Sequence, residues 1–434
     1  SKSPNVGVRV EIMMLMIGIM MWGHCAFFIF SERQIPLSFF DTDFIDYCIA
    51  TIRFDDLELA YPSKRSRFAS LVPGLLHNHY GVIDSLVLHS ICMTMIMATA
   101  IYCWARSIGG MFAGVSALFI LLSMTPLTAM MRYLTFYPSI VAVFSIGGAL
   151  FLHAWKNPKL MNFFFAGIGI GCCFLIDVRG LIWGGVWLLS LGLYALYHGR
   201  GWAQKMRFIV GLLVPVWGSW FIGWWAFQPT SFSLIEQMDV RPLFSAFEPM
   251  NSAYVQNVEY RTFLWGYGGN PIEMFQQMIG QLYIPTPKNL QMEQFGGTNV
   301  WFGFGMICLG GLFFIKNKRQ FIGIVFSVLP FLVALWGAQN LVESHLRFPA
   351  HGLGAVAVLG GGICGCIGEK ISCKQNLISN KYQVIAGVLL WGSIVWGYVY
   401  TPFSPNASWR ETPSVQRKLL YGVLEKAFSD QDYS

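Results

Sequence analysis

Two carboxylates and three guanidinium groups stand out in a chain that otherwise carries little reactive chemistry. Asp41 and Asp43, separated by Thr42, follow Phe40, while Arg132, Arg179 and Arg347 each stand beside an apolar run. A carboxylate within hydrogen-bond reach can take a proton from an oxygen or nitrogen nucleophile. Guanidinium groups bind phosphate through paired hydrogen bonds. Each feature also has an ordinary reading. An acid ahead of a helix caps free backbone N–H groups, and an arginine at a membrane boundary snorkels to headgroups. Between these residues lies 61–81, basic at Lys64, Arg65 and Arg67, broken by Pro73, then carrying His77, Asn78 and His79 on what reads as an irregular loop. Lipid headgroups or a ligand phosphate would suit those cations. Two imidazoles at alternate loop positions are too little for a metal site.

Holding such residues in place falls to a membrane domain. Of the 434 residues, 55% are hydrophobic and only 12% charged, against about 25% charged in an ordinary soluble domain. Apolar runs long enough to span a bilayer as helix, about 20 residues each, recur at 12–30, 83–105, 110–128, 135–154, 161–176, 180–197, 208–227, 299–315, 320–337, 349–367 and 382–400. The expected class is therefore all-α: a polytopic transmembrane helical protein with roughly eleven spans. The expected organisation is one transmembrane domain over 1–400, with outer loops at 31–82 and 228–298. A tail at 401–434 reads as an amphipathic helix on the outer face. In the first outer loop Phe44, Ile45, Cys48, Ile49 and Ile52 recur at helical spacing, with Asp46 and Arg53 opposite. That pattern predicts a helix lying in the membrane surface just after the two acids.

Charge sets the expected orientation. With the amino terminus in the cytoplasm, the inner loops hold Lys2, Arg9, Arg106, Lys156, Lys159, Arg200, Lys205, Arg207, Lys316, Lys318, Arg319, Lys370, Lys374 and Lys381 against Glu11 and Glu369 alone. Basic residues resist translocation, so the carboxyl terminus falls outside. The opening apolar run is long for the core of a signal peptide and lacks a small-residue cleavage site. A formal charge of +7 scattered through short loops excludes a nucleic-acid surface. Most of the ten cysteines sit inside apolar runs, where they read as core filling.

Taken in order, these motifs resemble the C-type membrane glycosyltransferase (GT-C) superfamily, in particular its protein O-mannosyltransferase and aminoarabinose transferase group. The resemblance rests on Phe40-Asp41-Thr42-Asp43 opening the first outer loop and on Met131-Arg132-Tyr133 with Tyr137-Pro138 at the head of a span. It continues through Lys156-Asn157-Pro158-Lys159, Asp177-Val178-Arg179-Gly180 and Glu343-Ser344-His345-Leu346-Arg347-Phe348-Pro349. The acidic pair departs from the group's pattern in being split by Thr42. The resemblance implies inverting transfer of a sugar from a polyprenyl-phosphate donor to an acceptor at the outer, periplasmic or lumenal face, in a bacterial inner membrane. It implies Asp41 as base with Asp43 as second carboxylate, and Arg132, Arg179, Arg347 and His79 as donor-phosphate contacts. No cofactor is implied beyond the lipid-linked sugar itself, and a divalent metal is not indicated. Partners are then membrane lipids and the lipid-linked sugar. A second reading keeps the GT-C-like architecture without catalysis, as a structural or assembly subunit beside other membrane subunits. A transporter is disfavoured, because no internal repeat or deep charged residue suggests an alternating path.

Overall fold

The computed structural model describes residues 67–123, 137–176, 180–199, 201–227, 317–339 and 352–374, with helical positions at 16, 19, 23, 47, 48 and 50–52. Among these residues the structure is helical throughout. A 3-10 turn, Arg67–Ser70, leads into α1, Leu71–Tyr80. There follow α2, Val82–Ser123; α3, Tyr137–Lys156; α4, Leu160–Ile176; α5, Gly180–His198; α6, Trp202–Phe227; α7, Lys318–Gln339; and α8, Leu353–Lys374. Val82–Leu121, Pro138–Lys156 and Trp202–Gly223 are long and apolar enough to cross a membrane. The expected runs at 12–30, 299–315 and 382–400, the second outer loop and the tail lie outside the described residues.

The first of those stretches folds back on itself. Gly109 and Gly110 leave helical geometry, and Gly110 has φ 72°, a left-handed conformation that glycine alone adopts freely. A Cβ on Gly114 would come within 3.0 Å of the Tyr102 carbonyl oxygen, whereas twelve residues of straight helix span about 18 Å. The two arms of α2 are thus antiparallel. α8 is packed along both: Gly354 and Gly362 lie against Ile101 and Ile108 of the first arm, Gly361 and Gly365 against Ala113 and Ala117 of the second. Small residues allow this close backbone approach, which supplies most of the attraction between helices in lipid.

The centre of the bundle is aromatic. Trp104 of α2 and Trp187 of α5 meet edge to face with ring centroids 6.3 Å apart. Both indoles reach α7: the Trp104 N–H donates to Ser327 Oγ at 3.2 Å and the Trp187 N–H to the Ser327 carbonyl at 3.2 Å. α3 accommodates the two rings with glycines, since a Cβ at Gly147 would approach Trp187 to 2.5 Å and one at Gly148 would approach Trp104 to 2.5 Å.

One end of the bundle is basic and cross-linked. Lys156 at the close of α3 donates to the Ser107 carbonyl, and Gln320 of α7 donates to the Ile108 carbonyl at 2.8 Å. Trp155 and Arg319 exchange bonds, indole to carbonyl at 3.1 Å and guanidinium to carbonyl at 3.2 Å. The Arg319 guanidinium also bonds the Tyr194 hydroxyl and lies 5.3 Å from its ring.

Candidate functional site

The opposite end is where the segments with candidate chemistry enter the bundle. Tyr47, Cys48, Ala50 and Thr51, which follow the two acids, are helical and buried. Cys48 of the expected apolar face is inside, and so are Tyr47 and Thr51, which the pattern assigned to neither face. Both meet their hydrogen-bonding needs there, the Tyr47 hydroxyl donating to the Ala69 carbonyl at 2.8 Å and the Thr51 hydroxyl to the Tyr47 carbonyl at 2.8 Å. A polar side chain with its partner in place costs little to bury.

Tyr47 lies beside His89 of α2, ring centroids 6.2 Å apart and tilted by 60°. His89 is 2% exposed and its Nε2 lies 2.5 Å from the Ser139 hydroxyl at the head of α3, itself buried. The head of α3 is bounded further by α5 and α8. Trp183 stacks on Phe144 with centroids 4.9 Å apart, and Gly354 sits against Ser145 and Val141. Gly180, which opens α5, is pressed on the Cys173 carbonyl of α4, so no side chain fits there and the hairpin closes tightly.

Asp41, Asp43, Arg132, Arg179 and Arg347 lie outside the described residues. Each is joined by a short tether to a described residue. Asp43 is four residues before Tyr47 and Arg132 seven before Ser139; Arg179 adjoins Gly180, and Arg347 is six before Leu353. An extended chain covers at most about 3.6 Å per residue, so each tether is shorter than about 25 Å.

Neither a family model nor a curated protein matches the amino-acid sequence. Solved structures do resemble the fold. The structure of ArnT from Cupriavidus metallidurans bound to undecaprenyl phosphate aligns with 98% of this chain and 70% of its own, at TM-score 0.52 and 13% identity. The apo oligosaccharyltransferase of Archaeoglobus fulgidus aligns with 93% of this chain and 59% of its own, at TM-score 0.54 and 12% identity. AglB from the same organism, in complex with an inhibitory peptide and a dolichol-phosphate, gives the same values. The chain has the fold of the C-type membrane glycosyltransferases.

The expected resemblance is met at the level of the GT-C fold, and with it the integral membrane character of the chain. The site residue the structure does describe, His79, is exposed near the end of α1. Its neighbour His77 is occupied locally, Nδ1 lying 2.7 Å from the Gly74 carbonyl. The loop expected around these histidines is instead a helix. Pro73 falls in the first turn of α1, where its missing N–H would have had no intrahelical partner. Among the described residues no group of three or more His, Cys, Asp or Glu is placed to hold a metal ion. The pairing of His89 with Ser139 is a feature the sequence analysis missed. The signal available was a pair of polar residues, His89 and Ser139, each inside an apolar run, where they need a partner.

Proposed function

We propose that this chain is an inverting glycosyltransferase that moves a sugar from a polyprenyl-phosphate donor to an acceptor at the outer face of the membrane. The observation that carries this reading is the likeness, over nearly the whole chain, to a fold seen with undecaprenyl phosphate bound. The described positions next to the candidate residues in sequence, Tyr47, Ser139, Gly180 and Leu353, stand at one end of the bundle, and this supports it. In this reading Asp41 is the base and Asp43 its second carboxylate. The acceptor attacks the anomeric carbon from the face opposite the phosphate; the bond from that carbon to the phosphate oxygen breaks, and Asp41 takes the acceptor's proton. The polyprenyl phosphate leaves carrying the negative charge, which Arg132, Arg179, Arg347 and His79 stabilise. The donor's tail stays in the bilayer while its reactive bond stands at headgroup height.

The same reading places roughly eleven spans in the membrane, with the amino terminus inside and the carboxyl terminus outside. The end carrying Arg106, Lys156 and Arg319 then faces the cytoplasm of a bacterial inner membrane, where basic residues accumulate. The test is transfer of labelled sugar from a polyprenyl-phosphate donor in membranes holding the wild type, D41N or D43N. Loss in D41N with undecaprenyl phosphate still bound is the expected result. Full transfer in both variants would remove the proposed base. Failure of the wild type to bind undecaprenyl phosphate would remove the donor class.

A further inference from the structure

His89 is a buried polar residue that the reaction above does not use. It lies on the first arm of α2, four residues after Ser85, and among the described residues neither Ser85 Oγ nor His89 Nδ1 has a hydrogen-bond partner. Among the same residues the polar contact of the imidazole is Nε2 with Ser139 Oγ at 2.5 Å. This arrangement assigns the tautomer. A buried N–H without an acceptor is rarer and costlier than a bare acceptor nitrogen, so the proton is on Nε2, which donates to Ser139. Nδ1 is the bare acceptor.

Two segments meet at this ring. On one side is Tyr47, which is 2% exposed, is locked to the Ala69 carbonyl and follows Asp41 and Asp43. On the other is Ser139, which follows Arg132 and heads α3. We propose that His89 is a positioning residue: through its bond to Ser139 and its contact with Tyr47 it fixes the helix around Tyr47 and the first arm of α2 relative to the head of α3. In apolar surroundings any rotation of α2 about α3 leaves both partners unpaired, with no water to replace them. The pair therefore fixes the mutual rotation of α2 and α3 at this end, as the bond from Lys156 to the Ser107 carbonyl does at the other. The inference rests on the glycosyltransferase reading for its catalytic meaning, but its geometry can be measured without sugar transfer.

The experiment uses the full chain in nanodiscs, with native cysteines replaced and spin labels at I52C, beside Tyr47, and at H153C, exposed on α3. Pulsed dipolar spectroscopy of the parent should give one narrow distance distribution. H89L and S139A should each broaden or split it, and H89Q, whose amide N–H can still donate to Ser139, should restore it. S139A removes only one oxygen, so it carries the test should H89L fail to fold. In the otherwise native chain, H89L and S139A should lower kcat by about ten-fold or more while KM for the donor changes less than about two-fold, as expected when reacting groups are displaced and donor binding is kept. An unchanged distribution in S139A and H89L overturns the positioning role whether or not the wild type transfers sugar. A wild type that neither transfers sugar nor binds undecaprenyl phosphate overturns the glycosyltransferase reading and leaves the distance result standing.

Discussion

Ser327 is asked to serve two indoles at once, and that makes its removal unusually informative. In S327A the Trp104 N–H loses its acceptor, because it bonds the side-chain oxygen, while the Trp187 N–H keeps its own, because it bonds the backbone carbonyl. Trp104 is 1% exposed, so water cannot take over the vacated position. The Ile324 carbonyl, which accepts from the Ser327 hydroxyl at 2.8 Å, belongs to the helix ladder and loses little. One orphaned buried donor costs about 1–3 kcal/mol. W104F has its own packing penalty, but in that background no donor remains to be orphaned, and S327A should then cost less than about 0.5 kcal/mol. The measurement is unfolding in mixed micelles by SDS titration, for the wild type, both single variants and the double variant. The reasoning fails if S327A costs the same in both backgrounds, or if it costs nothing in the parent.

Filling the glycines that receive those indoles should be as harmful as removing the acceptor. G147A and G148A are each expected to destabilise by about 1–3 kcal/mol through overpacking, read as a fall in detergent-solubilised melting temperature. At the basic end, R319K keeps the charge but cannot both bond Tyr194 and lie over its ring, so a loss of about 1 kcal/mol is expected in the same assay. H79A, altering an exposed side chain, should leave the melting temperature unchanged while weakening donor binding; a lowered melting temperature with unchanged binding refutes its assignment. Burial pushes the Cys48 thiol up to about 12, so at pH 8 its thiolate is scarce. It should resist maleimide until the protein is unfolded; fast labelling in the folded state would refute its burial.

What the chain discloses without a structure follows from the kind of signal involved. α3, α4, α5 and α7 fall within two residues of their expected limits at each end, because an apolar run in lipid has one way to satisfy its backbone. α6 begins at Trp202 and α8 reaches Lys374, beyond the apolar runs, since Lys205, Arg207, Glu369 and Lys370 are good helix formers that hydropathy does not count. α1 was hidden by Pro73, which reads as a breaker unless it falls in a first turn. The bond between His89 and Ser139 depends on the mutual rotation of helices fifty residues apart, and the burial of Tyr47 depends on the Ala69 carbonyl. Neither leaves a periodic trace. For Asp41, Asp43, Arg132, Arg179 and Arg347, which lie outside the described residues, the order of motifs remains the argument.

The seat that α8 occupies between the two arms of α2 has a consequence for biogenesis. The arms are made early, yet the element that fills the space between them is translated more than two hundred residues later. Until then the backbone around Gly109, Ala113 and Ala117 must wait with its small residues facing lipid, and a ribosome stalled in the 228–298 region would release a hairpin with its most closely packed surface bare. Such non-local closure slows assembly. An early hairpin awaiting a late helix is the form in which insertion factors would meet this chain.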